Sequence, residues 1–331
     1  MTPKVTVFIA LYNAENYIKE TIESVLNQTF KDYEILIIND GSTDNSVDVV
    51  NQFDDSRIRL LHNEKNSGER FTRHRALTEA KGKYIAVLDA DDLALPNRLE
   101  MQIDFLENNP DYVLCGGWAK CIDENGKLNN NLMTPKTANE EIKMNMLFQN
   151  QFVNSSTMYL KDIGLKVGGY NGEDIPPDYD FFSKLTEKYN IANLPHYFIL
   201  YRQHSNSISI TNRAALRKGE LNILRFLYEK FNLEESLLKV PHSFFTEDYS
   251  ELKYNEIKIF FEKIISENKR NNYYSNEQFV EVVFNKWLKI VINKKNRKIA
   301  LDFINNPIFD YKKLNFKEKR KIFKIVINPF R

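Results

Sequence analysis

The sequence predicts an α/β fold: an open, mostly parallel sheet flanked by helices, followed by a helical C-terminal region. Three observations carry this. Short β-rich runs, apolar on both faces, recur through roughly the first ninety residues, as parallel strands covered by helices require. Segments with apolar residues three and four apart separate those runs. Aspartate-bearing motifs follow the second and fourth runs directly, where an open parallel sheet keeps its ligand crevice.

Val5 to Leu11 reads as the first strand, closing on Ala10, Leu11 and Tyr12. Ile18, Ile22, Val25 and Leu26 then share one helical face. Ile35 to Ile38 is the second strand, and Asn39-Asp40-Gly41-Ser42 follows it. A second helix is expected from Asp44 to Phe53, with Ser42 or Thr43 as its cap. Arg57 to Leu61 reads as strand, Glu69 to Ala80 as helix and Tyr84 to Leu88 as the fourth strand, which runs into Asp89-Ala90-Asp91-Asp92. Right-handed crossovers put both clusters at the carboxyl edge of one sheet.

Asn97 to Asn108 is a further helix, stopped by Pro110. Tyr112 to Trp118 and the turn at residues 123–126 suggest strands near the sheet edge. An acidic loop over 173–180 leads into a helix through Leu185, and a last strand, Tyr197 to Tyr201, ends in Arg202-Gln203-His204-Ser205. From about Asn212 helical spacings dominate, at Leu221, Leu224 and Leu227 and at Phe260, Ile264 and Ile265, and no glycine follows Gly219. The expected division is a sheet domain over 1–210, with halves of about 1–92 and 93–210, and a mainly helical region over 211–331.

With 331 residues, 42% hydrophobic and 27% charged, the chain has the composition of a globular protein with a proper core. The net charge of +1 hides an asymmetry, since fourteen Lys/Arg stand against three Asp/Glu from Lys286 onward. No leader-like or membrane-spanning apolar run is visible, and Cys115 and Cys121 form neither a disulfide framework nor a zinc pattern. A cytoplasmic setting, at most at the inner face of the membrane, is therefore expected. Neither a GxGxxG nor a P-loop follows a strand.

Two aspartates one residue apart at a strand end can aim hard oxygen ligands into one crevice, and crowded carboxylates are comfortable beside a cation. Asp89 and Asp91 therefore read as a Mg²⁺ or Mn²⁺ site completed by a diphosphate; the bland alternative is acidic caps on the next helix, and Asp92 fits that role. Asp40 is either a solvated turn residue or an acceptor for a base N–H or ribose hydroxyl, with Tyr12 as a stacking platform. Arg70, Arg73 and Arg75 offer charge to a phosphate or simply pair with Glu69 and Glu79.

These motifs, in order, resemble those of the family 2 glycosyltransferases of the GT-A fold. The likeness runs through VTVFIALYNAENYIKETIESVLNQTFKDYEILIINDGSTDNS, GERFTRHRALTEAKGKYIAVLDADD, GGYNGEDIPPDYDFF and YRQHSNSIS, over roughly residues 4–210. It implies an inverting transferase that uses a nucleotide-sugar, often UDP-linked, with Mn²⁺ or Mg²⁺, and a glycan or lipid-linked acceptor such as bacterial surface polysaccharide synthesis provides. It also implies roles: Asp40 and Tyr12 for the nucleoside, Arg73 facing the nucleotide, Asp89 and Asp91 as the metal-binding DxD pair with Asp91 the stronger candidate for direct contact, His204 near the diphosphate or metal, and Asp178 as catalytic base. Three positions depart from the pattern. Ala10 stands for the commoner proline, His74 for asparagine, and Pro177 for the glutamate before the base, which leaves Asp174 as the alternative to Asp178.

Inversion needs a base on the acceptor hydroxyl and stabilisation of the departing diphosphate, and no protein nucleophile. The competing readings are a sugar nucleotidyltransferase, disfavoured by Tyr12-Asn13-Ala14-Glu15 where a glycine-rich basic loop is usual, and a non-catalytic sugar-binding scaffold. In the basic region, Trp287 to Ile292 and Ile322 to Ile327 alternate with cations. Peripheral membrane contact, a packed subdomain and a protein docking surface all fit that pattern, whereas no motif supports nucleic-acid binding.

Overall fold

The computed structural model describes residues 2–171, 176–204 and 213–327. Two compact units emerge: Met1–Ile142 with Asn150–Gly219, and Lys143–Gln149 with Glu220–Arg331.

The first unit is built on β1 (Val5–Leu11), β2 (Tyr33–Asn39), β3 (Ile58–His62) and β4 (Tyr84–Asp89), all mutually parallel. Every residue of β2 is buried, as expected of a central strand covered on both faces. α1 (Ile18–Leu26) buries Ile18, Ile22 and Val25, the face its spacing foretold. α2 (Ser46–Val50) is shorter than the expected helix over 44–53. The reason is local: Asp44 accepts the N–H of Ser46 and the N–H of Glu15, so residues 42–45 tie down the loop after β1 and do not start a helix. α3 (Glu69–Glu79) and α4 (Arg98–Asn108) flank β4 in sequence, with the two-residue β5 (Leu93–Ala94) between β4 and α4.

Beyond β4 the sheet becomes mixed. β6 (Tyr112–Ile122) and β9 (Asn190–Arg202) are both longer than the sequence suggested, because they pair in parallel along almost their whole length. β7 (Leu128–Met133) returns antiparallel on β6. α5 (Asn139–Met146) precedes β8 (Met158–Leu160), which slots antiparallel between β4 and β6. α6 (Lys161–Lys166) and α7 (Pro177–Lys188) follow. Among the described residues the strand order is β3-β2-β1-β4-β8-β6-β9-β5, with β7 on β6. The architecture is thus an α/β sheet flanked by helices, with its parallel half first.

The second unit is helical and aromatic-rich. Phe148 makes edge contacts with Tyr228, Phe244 and Phe260, which explains why residues 143–149 belong with a region seventy residues further along. Trp287, fully buried, stacks on Phe261 at 4.9 Å and touches Phe303. The 205–212 segment, where the sequence placed the domain boundary, lies outside the described residues, as does Asp174.

Candidate active site

The ends of β2, β1 and β4 set the site. Ala10 is in register with Ile38 on one side and Asp89 on the other. Since β1 lies between them, the ends of β2 and β4 are about 10 Å apart.

Asp40 continues β2, its N–H donating to Leu11 O at 2.8 Å. Its buried carboxylate accepts at Oδ1 from Asn63 Nδ2 at 2.7 Å and the Ser67 N–H at 2.9 Å, and at Oδ2 from the Gly68 N–H at 2.8 Å. Gly41 makes this possible: its φ is 75°, and a Cβ there would sit 2.6 Å from Asn66 N. Asp40 is therefore no solvated turn residue; three donors fix it, and Oδ2 keeps a lone-pair direction for a further donor. Tyr12, 48% exposed, projects beside it at the end of β1. The loop that follows is latched, with Asn13 Oδ1 accepting the Thr43 N–H at 2.8 Å.

Arg73, 3% exposed, reaches from α3 to the end of β4. It pairs closely with Glu69, donates from Nη2 to Asp89 Oδ1 at 3.0 Å, and donates from Nη1 to Asn154 Oδ1 at 3.2 Å. Asp89 also accepts from Asn154 Nδ2 at 3.0 Å and from Ser155 Oγ at 2.8 Å. Both of its oxygens are thus engaged by protein donors. Arg75 turns away to His62 O and Asn63 Oδ1, with Glu79 3.8 Å off, and Arg70 lies 3.6 Å from Asp180.

Asp91 is placed differently. Its Oδ2 lies 2.8 Å from His204 Nε2, and the His204 ring packs on Tyr17 at 5.1 Å. Burial, then the charge of Asp89, raises the Asp91 carboxyl above the usual range against the pull of His204. Asp92 is not a helix cap. It is 1% exposed and accepts the Arg202 N–H at 2.8 Å, while α4 begins after Asn97 with no side-chain cap. Burial first, then Asp91 and Asp89, pushes the Asp92 carboxyl well above its ordinary value.

Asp178 occupies the first turn of α7, where Pro177 is the first helical residue. Proline suits that position because its missing N–H would have no intrahelical partner. Asn150 Nδ2 donates to Asp178 Oδ2 at 3.0 Å. Burial and then the nearby Glu69 charge raise its carboxyl to about 6, with Arg73 opposing and Asp89 adding. The Asp89–Arg73 cluster and Asp178 therefore share one electrostatic neighbourhood.

A model of glycosyl transferase family 2 matches residues 6–206. An uncharacterized glycosyltransferase of Methanocaldococcus jannaschii is 37% identical over 206 residues, covering 60% of this chain and 71% of that one. The chain is a family 2 glycosyltransferase. An Escherichia coli relative, the UDP-Glc:α-D-GlcNAc-diphosphoundecaprenol β-1,3-glucosyltransferase WfgD, is 38% identical over 157 residues, 47% of this chain and 59% of its own. Among solved structures, Staphylococcus aureus TarS 1–349 in complex with UDP-GlcNAc superimposes with a TM-score of 0.59 at 17% identity, covering 98% of this chain and 89% of the other. That likeness supports the GT-A architecture.

In this glycosyltransferase several site residues were not anticipated. Asn150, Asn154 and Ser155 come from the stretch before β8, whose NSS run in a short polar segment was the available signal. Tyr17 carries His204 on its ring and has the Arg202 guanidinium 4.9 Å from its centroid. Arg202, 2% exposed, donates to Asp91 O at 2.8 Å, Glu124 O at 3.1 Å and Glu20 Oε2 at 2.7 Å, binding the turn after β4 to α1 and the β6–β7 hairpin.

Proposed function

We propose that this glycosyltransferase moves a sugar from a nucleoside diphosphate sugar, UDP-linked in the favoured case, to a hydroxyl of a glycan or lipid-linked acceptor in polysaccharide synthesis, with inversion. The observation that carries the proposal is the separation of three acidic positions: Asp40, held by three donors with Oδ2 still open, for the nucleoside, Asp91 with His204 for the diphosphate, and Asp178 for the proton. The name of WfgD, with its UDP-linked donor and diphospholipid acceptor, and UDP-GlcNAc bound to TarS support this choice.

The residues present fit a divalent ion in part. Among the described residues no three His, Cys, Asp or Glu side chains converge to hold an ion unaided. Asp91 and His204 offer one carboxylate oxygen and one imidazole nitrogen, a set suited to Mn²⁺ or Mg²⁺ completed by donor phosphates. Bound there, the ion would neutralise charge growing on the leaving diphosphate. Asp89 would act from behind, holding Arg73 toward the same region.

Asp178 supplies the base. Its carboxyl, raised to about 6, is mostly ionised at neutral pH yet basic enough to take a proton from an attacking hydroxyl. Asn150 orients the carboxylate through its hydrogen bond to Oδ2. A single displacement on the face opposite the nucleotide gives the inverted product.

The test is a panel of nucleotide-sugars with Mn²⁺ and candidate acceptors, scored by released nucleotide and by the anomeric configuration of the product. Acceptor-dependent release from a UDP-sugar with an inverted linkage is expected. A retained linkage, or turnover by Asp178→Asn at the wild-type rate, sinks the mechanism. Donor affinity unchanged by a chelator, and equally unchanged in Asp91→Ala and His204→Ala, sinks the metal assignment.

A further inference from the structure

The second unit carries a helix, Phe316–Ile327, that buries one side only. Ile322 is its buried residue, packed toward the helices Asn276–Lys294 and Arg297–Asn305, and Arg297 Nε donates to Val326 O at 3.0 Å. At about 100° per residue, Phe316, Arg320, Phe323 and Ile327 project within an arc of about 60° on the opposite side. The exposures agree: Phe316 is 81% exposed, Phe323 64% and Ile327 59%. Lys317, Lys321 and Lys324 are exposed along one border of this strip. Glu318, the acid of the helix, turns to the far side.

Single exposed apolar residues are ordinary on protein surfaces, but three on one helical face are a patch. Its surroundings choose the partner. Protein interfaces deplete lysine at their centre, whereas large apolar residues bordered by lysine and arginine are the composition of a helix lying in the plane of a bilayer. Exposed Tyr311, with Lys319 Nζ 4.4 Å from its ring centroid, and Lys312 and Lys313 extend the same chemistry. Among the described residues no helix is long and apolar enough to cross a membrane, so contact through this helix would be at the surface.

We propose that the helix Phe316–Ile327 seats on an anionic bilayer surface, with Phe316, Phe323 and Ile327 at the acyl boundary and Lys317, Arg320, Lys321 and Lys324 among the headgroups. This seat is independent of donor, acceptor and metal, and binding alone tests it.

The experiment is flotation of the full chain with vesicles of phosphatidylcholine alone and with about one third phosphatidylglycerol. Binding to the anionic vesicles is expected, weakened by salt near 0.5 M because the Debye length shrinks to a few ångströms. Arg320→Glu with Lys324→Glu should lower affinity at least about 25-fold, at about fivefold per cation lost. Phe316→Ser with Phe323→Ser should lower it more than about tenfold. All four positions are exposed, so thermal melts should match the wild type. In Phe323→Trp, brominated lipids should quench the new indole. Equal binding to neutral and anionic vesicles, indifference to both double variants, or an unquenched indole overturns the proposal. So does a lipid-free dimer that Phe316→Ser with Phe323→Ser abolishes, since the face would then belong to a second copy.

Discussion

Arg73 Nη2 lies 3.0 Å from Asp89 Oδ1, and Asn154 and Ser155 occupy the rest of that carboxylate. Asp91, two residues on, meets His204 instead. The two aspartates should therefore fail differently. In Asp89→Ala a buried guanidinium loses one of its two acidic partners and Asn154 loses an acceptor, which should cost about 1–3 kcal/mol of stability. Asp91→Ala removes a desolvated carboxyl crowded by Asp89 and should melt at or above the wild-type temperature while losing transfer. Calorimetry on both variants checks the contrast, and a larger destabilisation in Asp91→Ala would refute it.

Asp178 sets a pH dependence. Its carboxyl stands at about 6 in the folded chain against an ordinary value of 3.8. Transfer should rise with pH through about 6 as the base ionises. Stability runs the other way. Between those two values the folded state holds a proton the unfolded chain has released, so this group's contribution declines as pH rises and its full cost is present above about 6. Asp178→Asn should abolish transfer yet stabilise the fold at about pH 8 by up to about 2 kcal/mol, reduced for its partial exposure, with the gain vanishing in acid. Denaturation of both proteins at two pH values tests this; equal stability gaps at both would remove burial as the cause.

Why some of this site was legible and some not follows from distance along the chain. Asp40 and Asp89–Asp91 stand immediately after strands whose apolar runs are unmistakable, so their position at one sheet edge follows from local pattern. β8, three residues long, has no readable period, and its direction is set by β4 and β6 on either side. Asn154 and Ser155 meet Asp89 only because β8 is inserted there. The capping role that local pattern offers Asp92 fails because its partner, the Arg202 N–H, is 110 positions away, whereas helix capping is a local habit.

Asp40→Asn tests the nucleoside end. The three donors at this carboxylate leave no acceptor for an amide N–H, so wherever the Nδ2 group points it faces the Gly68 N–H or the Asn63 and Ser67 donors. The variant should lose about 2–3 kcal/mol of stability and at least tenfold in donor affinity. Isothermal titration with UDP beside a denaturant melt separates the two effects. A variant that keeps its UDP affinity while losing stability would leave Asp40 as scaffold alone.

Arg202 sits at the junction of three segments, and its planar fork is what the junction uses. Its Nε binds Asp91 O at 2.8 Å, Nη1 binds Glu124 O at 3.1 Å and Nη2 binds Glu20 Oε2 at 2.7 Å, all from one guanidinium that is 2% exposed. A lysine keeps the charge but not the fork, so Arg202→Lys abandons at least one buried carbonyl and should cost about 1–3 kcal/mol. One of these carbonyls belongs to Asp91, the residue that also faces His204. Loosening the turn there should raise the donor KM more than it lowers kcat, because Asp178 is held by Asn150 and is untouched. Steady-state kinetics at saturating acceptor distinguish the cases: a kcat-only defect would mean that Arg202 acts on the chemical step and not on the shape of the donor site.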